Sequence, residues 1–130
     1  AYIECRVNAS CYYCVDGAKV LPNTTYKWSV WMKSENVTGS AGGQRVVLLF
    51  VDSAGVGSSV TYSGSGGSGT STGPGLTESV ISSRPWTQYT GTFTTGPTTA
   101  WFHPEYRVYG HNGAATLAGD FWFDDLAVYR

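Results

Sequence analysis

Gly119-Asp120-Phe121-Trp122-Phe123-Asp124-Asp125-Leu126-Ala127-Val128-Tyr129 decides the fold. Side chains alternate faces along a strand, so Phe121 and Phe123 share one face. Leu126 and Val128 carry the parity of Trp122 instead. The apolar phase therefore slips by one residue at Asp124-Asp125, which is what a β-bulge produces. Two carboxylates at a bulge in an otherwise apolar strand need a partner: a cation, backbone donors or solvent.

Outward from this ending, the chain continues to read as strands. No long stretch carries apolar residues at helical spacing. Candidate strands run over 2–8, 11–20, 24–34, 44–52, 57–63, 76–83, 86–95, 99–109 and 115–129. Turn signals separate them, among them Pro22-Asn23, Ser53-Ala54-Gly55 and Gly96-Pro97. In Thr25 to Lys33, Tyr26, Trp28, Val30 and Met32 face one way, and Lys27, Ser29, Trp31 and Lys33 the other. Val46 to Val51 is apolar on both faces, which predicts a central, doubly covered strand. Residues 63–75 are rich in Gly and Ser and read as a long loop. The pattern predicts an all-β fold, a jelly-roll β-sandwich of two antiparallel sheets. Residues 1–10 read as an N-terminal strand and residues 11–130 as the sandwich.

The 130 residues suit one domain. Only 13% are charged and the net charge is −1, which argues against a nucleic-acid partner, since that needs a basic stripe. No apolar run is long enough for a membrane helix, and the opening residues do not read as a signal peptide. A surface of Ser, Thr, Gly and Asn, with five Trp and nine Tyr, suits an extracellular or cell-surface location. Asn8, Asn23 and Asn36 each open an Asn-x-Ser/Thr sequon, so the chain reads as a candidate glycoprotein. The three cysteines are Cys5, Cys11 and Cys14. A hairpin of 2–8 with 11–20 would set Cys5 opposite Cys14, and Cys11 with Cys14 is the rival pairing.

Several segments together resemble the jelly-roll carbohydrate-binding modules of the family 4, 9 and 22 type. They are Leu21-Pro22-Asn23-Thr24-Thr25-Tyr26-Lys27-Trp28-Ser29-Val30-Trp31-Met32-Lys33, Leu49-Phe50-Val51-Asp52-Ser53-Ala54-Gly55, Trp86-Thr87-Gln88-Tyr89-Thr90-Gly91-Thr92-Phe93-Thr94 and Phe121 to Tyr129. The resemblance implies glycan binding, and a structural calcium with Asp124 and Asp125 as the candidate ligands. It also implies a departure, because the family's usual first strand has no counterpart ahead of Leu21. A sandwich without that strand exposes an edge, and strand donation from a neighbouring subunit covers such an edge. Ala1 to Val7 alternates apolar and polar residues and is the candidate donor, with Tyr2, Ile3, Cys5 and Val7 as its assembly residues. Cys5 would then bond across subunits.

Catalytic chemistry has little to stand on. His103 and His111 have no Ser or Cys nucleophile in a recognisable context, and no two of Glu78, Glu105, Asp120 and Asp125 are singled out as a glycosidase pair. Flat sugar faces pack on aromatic rings, so Trp31, Trp101, Arg107 and Tyr109 are the candidate glycan residues, imagined lining one groove. Trp28, Trp86 and Trp122 read as core. Trp31 and Trp101 read equally as interface residues. The function expected is a non-catalytic extracellular subunit that assembles with copies of itself into a fibre by N-terminal strand exchange. The alternative is a glycan-binding module of a secreted polysaccharide-degrading enzyme.

Overall fold

The computed structural model describes residues 2–5, 10–14, 17–38, 43–53, 61–64, 82–109 and 118–130. Among these residues nine strands follow one another: β1 (Tyr2–Cys5), β2 (Ser10–Cys14), β3 (Ala18–Lys19), β4 (Thr25–Thr38), β5 (Gly43–Asp52), β6 (Thr61–Gly64), β7 (Arg84–Thr94), β8 (Thr99–Tyr109) and β9 (Ala118–Tyr129). No helix occurs among the described residues. The first sheet has the order β1-β9-β4-β7-β6, and the second joins β2, β8, β3 and β5. Every pairing is antiparallel. The molecule is an all-β sandwich.

Alternation builds the core. Tyr26, Trp28, Val30 and Met32 of β4 point inward with Tyr89 and Phe93 of β7 and Phe121 and Phe123 of β9. From the second sheet come Val46, Phe102, Tyr106 and Val108. Trp28 lies between Gly91 and Val128 on the flanking strands. The glycine leaves lateral room for the indole, whose buried Nε1 has no hydrogen-bond partner among the described residues.

The phase slip in the closing strand is a bulge. Ser29 pairs with Ala127 and Trp31 with Asp124, so β9 carries one extra residue there. Asp125 adopts φ 48°, and its amide donates to Asp124 Oδ1 at 2.9 Å. Beyond it Leu126 and Val128 rejoin the core face. A second irregularity sits between Glu35 and Thr38, where Asn36 has φ 53°. Asn and Asp tolerate this left-handed region better than other non-glycine residues.

Several expectations change. The stretch 11–20 contains two described strands, β2 and β3. Cys14 pairs with Glu105 and Ala18 with Phe102, so the register against β8 shifts by one residue between the two ladders. The strand β5, expected to be central, pairs only with β8 among the described residues. Residues 76–81 of the candidate strand 76–83 and most of the Gly/Ser segment lie outside the described residues, and Ser82 and Ser83 precede β7 without being part of a strand.

The cysteine pairings change too. The hairpin expected to set Cys5 opposite Cys14 does not form, since β1 and β2 belong to different sheets. Cys11 and Cys14 lie in one extended strand, about 10 Å apart along it. A disulfide needs Cα atoms within about 7 Å.

Candidate functional site

Two regions bear on function: the edge where β1 lies, and the aromatic residues on the outer faces.

The leading strand closes this chain's own sheet. Tyr2 pairs with Trp122, Ile3 with Phe121, Glu4 with Asp120 and Cys5 with Gly119. The edge expected to stand open in a single protomer is therefore filled in cis. At the same place Gly119 has φ 154°. A Cβ there would sit 3.0 Å from the Glu35 carbonyl oxygen and 3.1 Å from Val37 Cα. Only glycine lets β9 approach the bulged end of β4 this closely. Val7 and Asn8 lie outside the described residues.

Trp31 and Trp101 occupy opposite outer faces. Trp31 belongs to the non-core parity of β4 in the first sheet, between Gln88 and Asp124. Trp101 belongs to the non-core parity of β8 in the second, and is 39% exposed. They cannot line one groove, so the single-groove expectation is corrected. Register places Arg107 and Tyr109 on the Trp101 face, as it does His103 and Glu105.

Trp101 stands between two depressions. One, of about 560 Å³, is lined by Lys19, Val20, Leu21, Tyr26, Ala100, Trp101 and Arg130. The other, of about 420 Å³, is lined by Val51, Asp52, Ser53, Trp101 and His103. Lys19 Nζ lies 5.2 Å from the Trp101 ring centroid, a cation–π distance. Beside Trp101, the half-exposed Leu21 precedes a turn tied to the loop after β7. The Thr95 hydroxyl donates to the Leu21 carbonyl at 2.7 Å and accepts from the Thr24 amide at 2.9 Å.

Sequence reasoning placed Trp86 and Trp122 in the core, and the structure places both elsewhere. Trp86 is 44% exposed. Trp122 lies on the outer parity between the buried Phe121 and Phe123, with Lys33 Nζ 4.7 Å from its ring centroid. The alternation of Phe121 and Phe123 already carried that signal for Trp122. With Trp31 and Trp101, four of the five tryptophans lie on outer faces.

Among the carboxylates, Asp120 accepts a hydrogen bond from Asn36 Nδ2 at 3.2 Å, and Asp124 accepts from its neighbour's amide. Glu105 is buried in the second sheet, apart from Asp120 and Asp125 in the first, and Glu78 lies outside the described residues. Among the described residues no group of three or more His, Cys, Asp or Glu is placed to hold a metal ion. Asn23 and Asn36 are both exposed, at a turn and at the β4 irregularity. No helix among the described residues is long and apolar enough to cross a membrane. No family model, curated protein or solved structure matches the chain.

Proposed function

We propose that this chain is a non-catalytic extracellular subunit that assembles with copies of itself by exchanging β1. The observation that supports it is the position of β1. It is an edge strand of four residues, held to the first sheet by β9 alone among the described strands. Without it, the Gly119–Trp122 edge of β9 presents unpaired N–H and C=O groups, and such an edge recruits another strand. A second copy brings the same Tyr2–Cys5 sequence and makes the same ladder, so the exchange gains and loses equivalent bonds. Each subunit that gives a strand opens its own slot for the next. Repeated without closure, this gives a fibre. The low charge and the Ser/Thr-rich composition support the extracellular setting. The winding is read as a jelly roll, on the support that the chain changes sheet at β1 to β2, β3 to β4, β4 to β5, β5 to β6, β7 to β8 and β8 to β9.

Sedimentation of the full chain against a variant lacking residues 1–5 tests this. The full chain is expected to form polydisperse species that grow with concentration, and the truncated variant to stop at monomer and dimer. A synthetic peptide of residues 1–9 should bind the truncated variant. A full chain that stays monomeric at every concentration overturns the reading.

A second reading has its own support in the exposed Trp101 between two depressions. There the chain would hold a saccharide, with the indole against a sugar face and the flanking polar groups on its hydroxyls. Migration through gels containing soluble polysaccharides tests it. Trp101→Ala should abolish any retardation, and Trp31→Ala, on the opposite face, should leave it unchanged.

A further inference from the structure

Backbone register sets Cys5 and Cys11 on the facing sides of the two sheets. Ile3 pairs with Phe121, which is wholly buried, so Ile3 marks the core side of β1. Cys5 follows two residues later and falls on that same side. In the other sheet Cys11 pairs with Val108, also wholly buried, so Cys11 falls on the core side of β2. Cys14 pairs with Glu105 and falls on the outer side.

The two positions also lie at one end of the sandwich. Cys5 ends β1 and Ser10 begins β2, and four intervening residues reach at most about 18 Å. Across the core, Tyr106 stacks on Phe123 and Phe102 lies against Phe93. Phe93 pairs with Tyr26, near the Val128 end of β9. The strands β8 and β9 therefore run in opposite directions across the core. Val108, two residues beyond Tyr106, lies towards the Phe121 and Gly119 end, where Cys5 pairs.

We infer that Cys5 and Cys11 form a disulfide between the two sheets. In the assembled form, the Cys5 of one subunit bonds the Cys11 of the subunit that receives its strand. This second half rests on the strand-exchange reading, because an exchanged β1 takes the same place on β9. The oxidant is an oxidised dithiol protein. The Cys5 thiolate attacks its disulfide to give a mixed disulfide. The Cys11 thiolate then displaces the oxidant, which leaves as the dithiol with the two electrons, and the two thiol protons pass to solvent or to the leaving thiolates.

The sequence offers a clean assay. Trypsin cuts after Arg6 and Lys19, which puts Cys5 in peptide 1–6 and both Cys11 and Cys14 in peptide 7–19. The full chain, secreted into an oxidising compartment and alkylated before digestion, is expected to give peptide 1–6 joined to 7–19, with Cys14 alkylated. Non-reducing gels are expected to show a ladder that dithiothreitol and the Cys5→Ser variant collapse to a monomer band. A Cys5–Cys11 link confined to the monomer band upholds the pairing and overturns the exchange. Alkylated Cys5 and Cys11, or a Cys5–Cys14 link, overturns the pairing itself. The Cys14→Ser variant should keep both the link and the ladder.

Discussion

Tyr106 and Phe123 stack across the sandwich, with ring centroids 4.6 Å apart and planes 19° from parallel. One ring comes from β8 and the other from β9, so the contact joins the two sheets. A second bridge lies towards the opposite end, where Phe93 and Phe102 meet at 6.5 Å and Tyr26 stacks on Phe93. Phe123 is 1% exposed. Truncating it removes the ring and leaves a void that the flanking strands cannot fill. Phe123→Ala is expected to cost about 3–5 kcal/mol, read as a lower urea midpoint at unchanged slope. A cost below about 1 kcal/mol, the range of a surface change, would mean that the sheets are not joined there.

Thr95 ties the turn before β4 to the loop after β7. Its buried hydroxyl serves the Leu21 carbonyl, the Thr24 amide and the Thr24 carbonyl. Valine matches its shape and offers none of these bonds. Thr95→Val is expected to cost about 1–3 kcal/mol, because the backbone groups left behind lose their partner. Thr95→Ser should recover most of that, and equal stabilities for the valine and serine variants would contradict the bonding role.

The sequence made some of this legible and hid the rest for physical reasons. The slip at Asp124-Asp125 was visible because a buried face tolerates no change of parity without an extra residue. The Thr99–Tyr109 strand and the inward run from Tyr26 to Met32 were visible because alternation is strict there. Trp122 was misread because its size suggested burial although its parity pointed outward. The register shift between β2 and β3 is set against β8, which is distant in sequence. Strand order is nonlocal too, so the apolar faces of β5 do not name its neighbours, of which β8 is the one among the described strands. Sheet membership divides the candidate glycan residues Trp31 and Trp101, and periodicity within one strand carries no information about sheet membership.

Gly17 lies against β8 beside the start of β3. A Cβ there would come within 2.5 Å of both the Phe102 carbonyl oxygen and His103 Nδ1. The histidine can swing away, but the backbone oxygen belongs to the central strand and cannot. Gly17→Ala is therefore expected to destabilise by about 1–3 kcal/mol, despite alanine's smaller loss of chain entropy on folding. If the clash lay with His103 alone, pairing Gly17→Ala with His103→Ala would restore stability. The double variant is expected to remain destabilised, and full recovery would place the constraint on the side chain.

Asp125 is the extra residue of the closing strand's bulge, and the bulge can be tested there. Its φ of 48° is one that glycine adopts without strain and valine adopts at a cost of about 1–2 kcal/mol. The residue is exposed, so substitution there loses no packing. Asp125→Gly is expected to fall within about 1 kcal/mol of the parent, and Asp125→Val to be clearly less stable. Deleting Asp125 asks more, because it removes the extra residue while keeping every apolar side chain. The ladder with β4 could then continue unbroken, but Leu126 and Val128 would turn to solvent. Each apolar side chain moved from core to water costs up to about 1.5–3 kcal/mol. The deletion should therefore be far more damaging than either substitution, with cooperative unfolding lost or strongly lowered. A deletion variant as stable as Asp125→Gly would mean that the bulge does not set the facing of Leu126 and Val128.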